Sequence, residues 1–474
     1  MITQRPRPPA KFDLVLKGGL VVTENIQEIA DVATMEGRVA QIGGAPSGRQ
    51  EIDASGHVVT PGGIDMHVHF TPMPTADLPR RPDDFESGSL AAANGGITTV
   101  GNMTHQVPGE GLLAALERDK KVAENTSIVD FVLHPVLNEP SALAIEEIAR
   151  LGASGYGTMK VFIVFPNFGP RLSEYRRAMT KAAEHNILVL VHCEDPHIIS
   201  RSMDALVQAG NLGAEHYGDS RPIQAEVSAV ELAVDLAEGL GGPIHIVHLS
   251  SERALDVCRK ARRRGAQVHV ETRPLYLHFT DDVFERIDAA LYIGNPPPRK
   301  RSDRAAMWDG LSAGDIDVLA SDHAPWNRAQ KLAAGLDIRN ALPGVPELDT
   351  MLPLLFSEGV IAGRLTLAQF VDVTATNPAR LLGIEAKGQI KVGSDADLTV
   401  WDPNKKWRVG PETLATNADH SPYESWEVQG APVYTIVRGR VVRSPDGPIP
   451  DSNRGLMAHS SRSSGSRPHR GDAS

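Results

Sequence analysis

Residues 61–70 read PGGIDMHVHF, and this stretch decides the fold. His67 and His69 lie two apart at the end of an apolar run, a spacing that puts both on one face of a strand. Gly62 and Gly63 ahead of them suit a close approach of the backbone to its neighbours. Further apolar runs carry a comparable residue in or just after them: Lys160 in GTMKVFIVF, His192 in NILVLVHCED, His248 in PIHIVHLSS and Asp322 in IDVLASDHAP. Four histidines, one lysine and one aspartate are too many for a packed core, because a buried polar group costs free energy unless it is paired. A two-metal centre at the mouth of a barrel pairs all of them. Taken singly, each histidine also fits a hydrogen-bonded core or surface position, Lys160 a snorkelling side chain and Asp322 a turn or N-cap. Recurrence at matching strand ends favours the shared centre.

Outward from that stretch, residues 61–384 alternate strand-like apolar runs with helix-like segments such as SEYRRAMTKAAEHN, AEVSAVELAVDLAEGLG and SERALDVCRKARRRG. Sustained alternation implies parallel βαβ units, and the expected fold is α/β: a (β/α)8 TIM barrel with insertions as the catalytic domain. Residues 1–60 and 385–455 contain short strands rich in β-branched residues and Gly-type turns (DLVLKGGLVVT, DVATMEGRVAQIG, KVGSDADLTVWD, APVYTIVRGRVVRS). Both terminal regions are expected to form one small β-sandwich domain. Residues 456–474, rich in Ser, Arg and Gly, read as a disordered tail.

The 474 residues, 41% of them hydrophobic, hold enough apolar material for a full core. A net charge of −11, from 48 basic and 59 acidic residues, argues against nucleic acid as a partner. Two cysteines, Cys193 and Cys258, exclude a disulfide framework. The segment MITQRPRPPAKFD lacks the apolar region of a signal peptide, and no run reaches the length of a membrane span. The expectation is a cytoplasmic protein without a membrane partner.

The chemistry follows from the residue types. On the NILVLVH strand, Leu188 and Leu190 share the face of His192, while Val189 and Val191 point the other way. His245, three residues before His248, is expected to face away and to be structural. Lys160 lies among Met159, Val161, Phe162 and Ile163; burial would lower its pKa and leave a neutral amine that can add CO₂. The resulting carbamate is a carboxylate able to bridge two metal ions, which explains a lysine among cation ligands. Asp322 would be both a ligand and the base that takes a proton from the attacking water. The other histidines (57, 105, 134, 185, 197, 216, 269, 278, 323, 420, 459 and 469) receive no role. No phosphate-cradling or dinucleotide fingerprint is present.

As a set, PGGIDMHVHF, GTMKVF, SRPIQAE with its Arg221, IVHLSS, VETRPLYLHFTDD, NPPPR, SDHAP, LPGVPE and KVGSDADLTVWDP resemble the hydantoinase and dihydropyrimidinase branch of the amidohydrolase superfamily. The likeness spans about residues 13–443. It implies a hydrolase opening the ring C–N amide bond of hydantoins or dihydropyrimidines. It further implies two divalent metal ions per chain, with zinc the first candidate and manganese, cobalt or iron as others. By resemblance, His67 and His69 hold the more buried ion, and Lys160, N6-carboxylated, bridges both. His192 and His248 hold the second ion, and Asp322 is ligand and proton shuttle. Asn295 and Asn340 match positions whose backbone groups hold a small-molecule cyclic amide substrate. Relatives are homo-oligomers, tetramers or dimers.

Two departures stand out. Hydantoinases carry a tyrosine five residues after the bridging lysine, and here that position is Phe165. Loss of such an oxyanion donor costs about 2.7–4 kcal/mol, about 10²–10³ in rate. Either another donor replaces it or the substrate differs; allantoinases, which resemble this family, do without that tyrosine. The second departure is PPPR in place of PPLR. Dihydroorotase fits less well, since its HxHxR pattern would need arginine where Thr71 stands. The alternatives are therefore an allantoinase or another ring-opening amidase, and a non-catalytic structural homologue.

Overall fold

Eight parallel strands follow one another in chain order around a barrel: β6 (Gly63–Val68), β7 (Ile97–His105), β8 (Asp130–Val136), β9 (Thr158–Phe162), β10 (Leu188–His192), β11 (Ile244–Ile246), β12 (Val268–Thr272) and β13 (Val318–Leu319), where β1–β5 are the preceding strands of the N-terminal region. This computed structural model describes residues 11–23, 27–71, 79–333 and 337–462. The ring is completed beyond β13, where Val68 pairs with His323 in parallel and the His69 N–H donates to the His323 carbonyl at 3.0 Å.

The strands are apolar because both of their faces are covered. Leu188, Leu190, Ile64, Met66 and Val318 fill the barrel, while Met159, Val161, Val189 and Val191 pack outward with the helices. The expected parity of the His192 strand is thus met. The expected helices are also present: Leu172–Glu184, Ile223–Leu240 and Glu252–Arg263. The last is capped by the Ser251 side chain, which accepts from the Ala254 N–H. Gly62 is needed for close packing, since a Cβ there would lie 2.3 Å from the Thr98 side chain.

Both terminal regions contribute strands to one continuous nine-stranded sheet, separate from the barrel sheet. Its N-terminal strands are β1 (Phe12–Val22), β2 (Gln27–Met35), β3 (Arg38–Ile42), β4 (Gly48–Asp53) and β5 (Val58–Pro61). Its C-terminal strands are β14 (Leu398–Arg408), β15 (Glu427–Val437), β16 (Arg440–Ser444) and β17 (Gly447–Pro448). The two ends of the chain meet where β5 pairs antiparallel with β14, Thr60 opposite Thr399. Leu14, Leu16, Val32, Val59, Leu398 and Val400 form the core of this domain. Lys387 ties it to the barrel: its ammonium lies 2.6 Å from Asp130 on β8 and 3.2 Å from Asp395.

The segment expected to be disordered from Leu456 onward is ordered over 456–462. The Phe131 N–H donates to the Leu456 carbonyl at 3.1 Å, Ala458 donates to Phe131 at 2.8 Å, and Ser460 donates to Gly155 at 2.9 Å. Polar composition hid these backbone bonds, which extend the edge of β8. Residues 463–474 lie outside the described residues. No helix among the described residues is long and apolar enough to cross a membrane. Cys193 and Cys258 are free and buried.

Candidate metal centre

The six residues singled out in the sequence converge at one end of the barrel. His67 points inward from β6. Its Nδ1 lies 2.9 Å from Glu271 Oε1, so Nδ1 carries the proton and Nε2 is left free as a ligand atom. That Nε2 lies 3.4 Å from Asp322 Oδ1 and 3.5 Å from the Lys160 amine. His69 Nε2 is 3.1 Å from the same Asp322 oxygen. The His192 and His248 rings meet nearly perpendicularly, 4.5 Å between centroids, and His248 stacks 5.5 Å from His67.

Local backbone explains two of these placements. By strand alternation His245 and Val247 face the interior and His248 should face out. His248 instead adopts φ 39°, a left-handed conformation that re-aims its ring into the site. Asp322 has φ 49° for its part. Such conformations are costly in a residue other than glycine and concentrate at functional sites. The expectation that His245 faces away is corrected accordingly: its Nε2 reaches Glu271 Oε2 inside the barrel at 3.1 Å.

Burial sets the charge states. It pushes the His67, His69, His192 and His248 imidazoles down, which keeps them neutral as metal ligation requires. Burial also lowers Lys160, to about 8, against the pull of Glu271 and Asp322. For Asp322 burial alone would raise the pKa, but the Arg273 guanidinium and then His67 hold it well below the usual carboxylate range.

Sequence reasoning missed the residues that hold these groups in place. Glu271 accepts from His67, His245 and the His248 N–H, the last at 3.0 Å. Glu194 lies 2.8 Å from His192 Nε2 and accepts from Arg221 at 2.6 Å. Arg273 donates to Asp322 Oδ2 and to Glu347. Three histidines given no role are also built in: His134 bridges Thr158 and the Met66 carbonyl, His323 pairs with Asp83 at 3.0 Å, and His105 stacks 6.4 Å from His69. The motif VETRPLYLHFTDD contains Glu271 on the buried strand β12 and Arg273 just past its end, two buried charged residues, and that was the available signal.

The residues fit a divalent ion. His67, His69 and Asp322 offer ligand atoms that all lie within 4.8 Å of one another. His248 Nδ1 is buried without a hydrogen-bond partner among the described residues. Imidazole nitrogens with a carboxylate oxygen suit zinc and its first-row neighbours. A second acidic group, Asp130, Asp395 and Asp397, encloses the Lys387 ammonium and also pairs with Arg438 and Arg38, so its three charges are already matched by three cations.

The three expected substrate residues have different surroundings. Phe165, half-buried, stacks on Phe162 with 4.6 Å between centroids, and Phe162 lies 5.4 Å from His192. Asn295 Oδ1 accepts from the Tyr217 hydroxyl. Asn340 is exposed in the turn Ile338–Asn340. Arg81 donates to the His69 carbonyl at 3.4 Å, and burial lowers its pKa to about 10.

Comparison with known proteins agrees with this geometry. The amidohydrolase family pattern matches residues 58–442. A D-hydantoinase from Rhizobium radiobacter is 34% identical over 439 residues, covering 91% of this chain and 95% of that protein. A solved D-hydantoinase structure superposes with a TM-score of 0.91 at 31% identity, covering 95% of this chain and 99% of the other. An L-hydantoinase (dihydropyrimidinase) from Arthrobacter aurescens gives 0.86 at 31% identity, covering 94% and 100%.

Proposed function

The chain belongs to the amidohydrolase family, in its hydantoinase branch, and on that premise we propose that it is a cyclic amidase whose centre is built from His67, His69, Lys160, His192, His248 and Asp322. It is a hydrolase of ring C–N amide bonds in small cyclic amides, with hydantoins and dihydropyrimidines as the substrate class. The family binds divalent metal. The finer reading is two ions per chain, zinc first, which His67, His69, His192, His248, Asp322 and Lys160 as its carbamate would hold. Ions so held would supply Lewis acidity that activates water and polarises an amide carbonyl.

The observation that carries this reading is the position of Asp322. One oxygen, Oδ1, faces both His67 and His69 at 3.4 and 3.1 Å. The other is held by Arg273 at 2.5 Å. A carboxylate kept ionised and fixed in this way can take a proton from water as its oxygen bonds to the amide carbon. As the ring C–N bond breaks, the same proton passes to the departing nitrogen. The products are a carboxylate and an open-chain amine or urea nitrogen, and one water is consumed. His67 is kept in its ligand tautomer by Glu271, and Phe162 and Phe165 give one side of the site an aromatic surface.

Asn295 and Asn340 are proposed to hold the cyclic amide through their backbone groups. Resemblance further supports a homo-oligomer, tetramer or dimer, which light scattering on the eluted protein measures. A cytoplasmic location is part of the same proposal. Assay of 5-substituted hydantoins, dihydrouracil and allantoin tests the activity. Ring opening of a hydantoin or dihydrouracil supports the reading, turnover of allantoin alone transfers it to the allantoinase alternative, and no turnover by metal-replete protein refutes it.

A further inference from the structure

Arg81 is a cation beside the centre that makes no ion pair among the described residues, the Asp322 carboxylate being the anion that acts on it through space. It donates to the His69 carbonyl at 3.4 Å and to no carboxylate among the described residues. Its guanidinium lies 5.1 Å from the Trp326 ring centroid, so the indole supports one face of the plane. Its charge acts on His69, His105 and Asp322 together, which puts it beside the proposed metal ligands and not on the outer surface.

The chain holds the residue there. Asp83, two positions on, is buried; it pairs with His323 Nε2 at 3.0 Å and accepts from the Asn417 N–H at 2.9 Å. The Arg80 carbonyl accepts from the Gln330 side chain at 3.1 Å. Trp326 is itself fixed, its Nε1 donating to the Pro343 carbonyl at 2.9 Å. Arg80 and Arg81 are neighbours with opposite environments: Arg80 is exposed and lies 3.8 Å from Asp84, while Arg81 turns in toward the histidines. Five N–H donors are available to a guanidinium, and one is used by His69. Keeping a partly desolvated charge without a partner is costly unless a ligand supplies the counter-charge.

We propose that Arg81 recognises an anionic substituent, so that the preferred substrate is a cyclic ureide bearing a carboxylate on its exocyclic side chain. The inference rests on the cyclic amidase reading and narrows its substrate class. A planar, stacked guanidinium offers two parallel N–H bonds to a carboxylate. A carboxamide of the same size presents one acceptor and a repelled NH₂ group.

The test compares hydantoins carrying 5-carboxymethyl or 5-carboxyethyl groups with their carboxamides, in wild type, Arg81→Gln and Arg81→Lys. Wild type is expected to favour the acid, chiefly through KM. The acid-to-amide ratio of kcat/KM should fall about 10- to 100-fold in Arg81→Gln, the scale of a hydrogen bond to a charged group. Arg81→Lys should restore part of it. An equal loss on acid and amide, or an unchanged ratio, overturns the proposal. Calorimetric binding of the ring-opened N-carbamoyl diacids and their monoamides reads the same preference without turnover. A protein that opens none of these rings would therefore refute the cyclic amidase reading, while the binding ratio would still decide the role of Arg81.

Discussion

Arg273 and Asp322 form a fully internal ion pair, Nη1 to Oδ2 at 2.5 Å, with Arg273 wholly buried. The same guanidinium bonds Glu347 at 2.9 and 2.7 Å, and Glu347 accepts from the Tyr423 hydroxyl. The pair leaves Asp322 Oδ1 aimed at His67 and His69. It therefore does two things: it orients the carboxylate and it keeps it ionised.

Removing Arg273 should raise the Asp322 pKa, since the guanidinium is the leading influence that lowers it. A base works in its unprotonated form, so the acid limb of kcat/KM against pH should move to higher pH in Arg273→Met. Breaking a buried pair also costs about 3–5 kcal/mol of stability. Denaturant unfolding alongside the pH profile separates the two effects. An acid limb that stays put would show that Arg273 only supports packing.

Asp322→Asn keeps the size and most bonds of the side chain but cannot take a proton. Its kcat should fall by about 10² or more, the scale of a lost acid–base group. Folding should be retained. Near-normal turnover would move the base to another residue.

Lys160 gives a pH prediction with a definite sign. Burial lowers it to about 8. Below that pH the amine is an ammonium and cannot add CO₂; above it the amine is neutral. Metal loading of stripped protein should thus become faster as pH rises through about 8, and faster again with added bicarbonate. In the metal-free chain the lowered pKa also means that stability rises with pH from about 8 toward the ordinary lysine range, because only the unfolded chain keeps its proton there. Lys160→Ala should lose both dependences and most of its metal, and a short added carboxylic acid should restore part of it. Normal metal content in that variant would leave the lysine a structural role.

Phe165 stacks on Phe162 and has no hydroxyl to offer an oxyanion. If the usual donor is simply missing, Phe165→Tyr should raise kcat on hydantoin or dihydrouracil, up to the 10²–10³ that one such donor is worth. A loss on every cyclic amide would instead mean that the natural substrate packs against the ring, where a new hydroxyl is desolvated without a partner.

The proposed ligand positions were legible because a barrel strand has a simple grammar: an apolar run, then a polar residue where the strand opens toward the site. His192 after Leu188 and Leu190 follows it without exception. Glu271 and Arg273 were not legible as supports, since their role depends on which residue of a different strand lies opposite. His67 is 204 positions away in the chain from Glu271. His248 defeats alternation because its left-handed backbone turns the ring, so His245 was given the wrong face. The β domain was readable as strands at both ends, but the ordered segment 456–462 was not. Its order comes from backbone bonds to Phe131, Gly155 and Gly383, to which composition is blind.

The most direct test of the central claim is metal stoichiometry coupled to turnover. Protein stripped by chelation is titrated with zinc in the presence of bicarbonate, and hydantoin hydrolysis is followed at each addition. The account predicts negligible activity without metal, rising to a plateau at two ions per chain. Full activity in metal-free protein, or two bound ions with no ring opening of any cyclic amide, would contradict it.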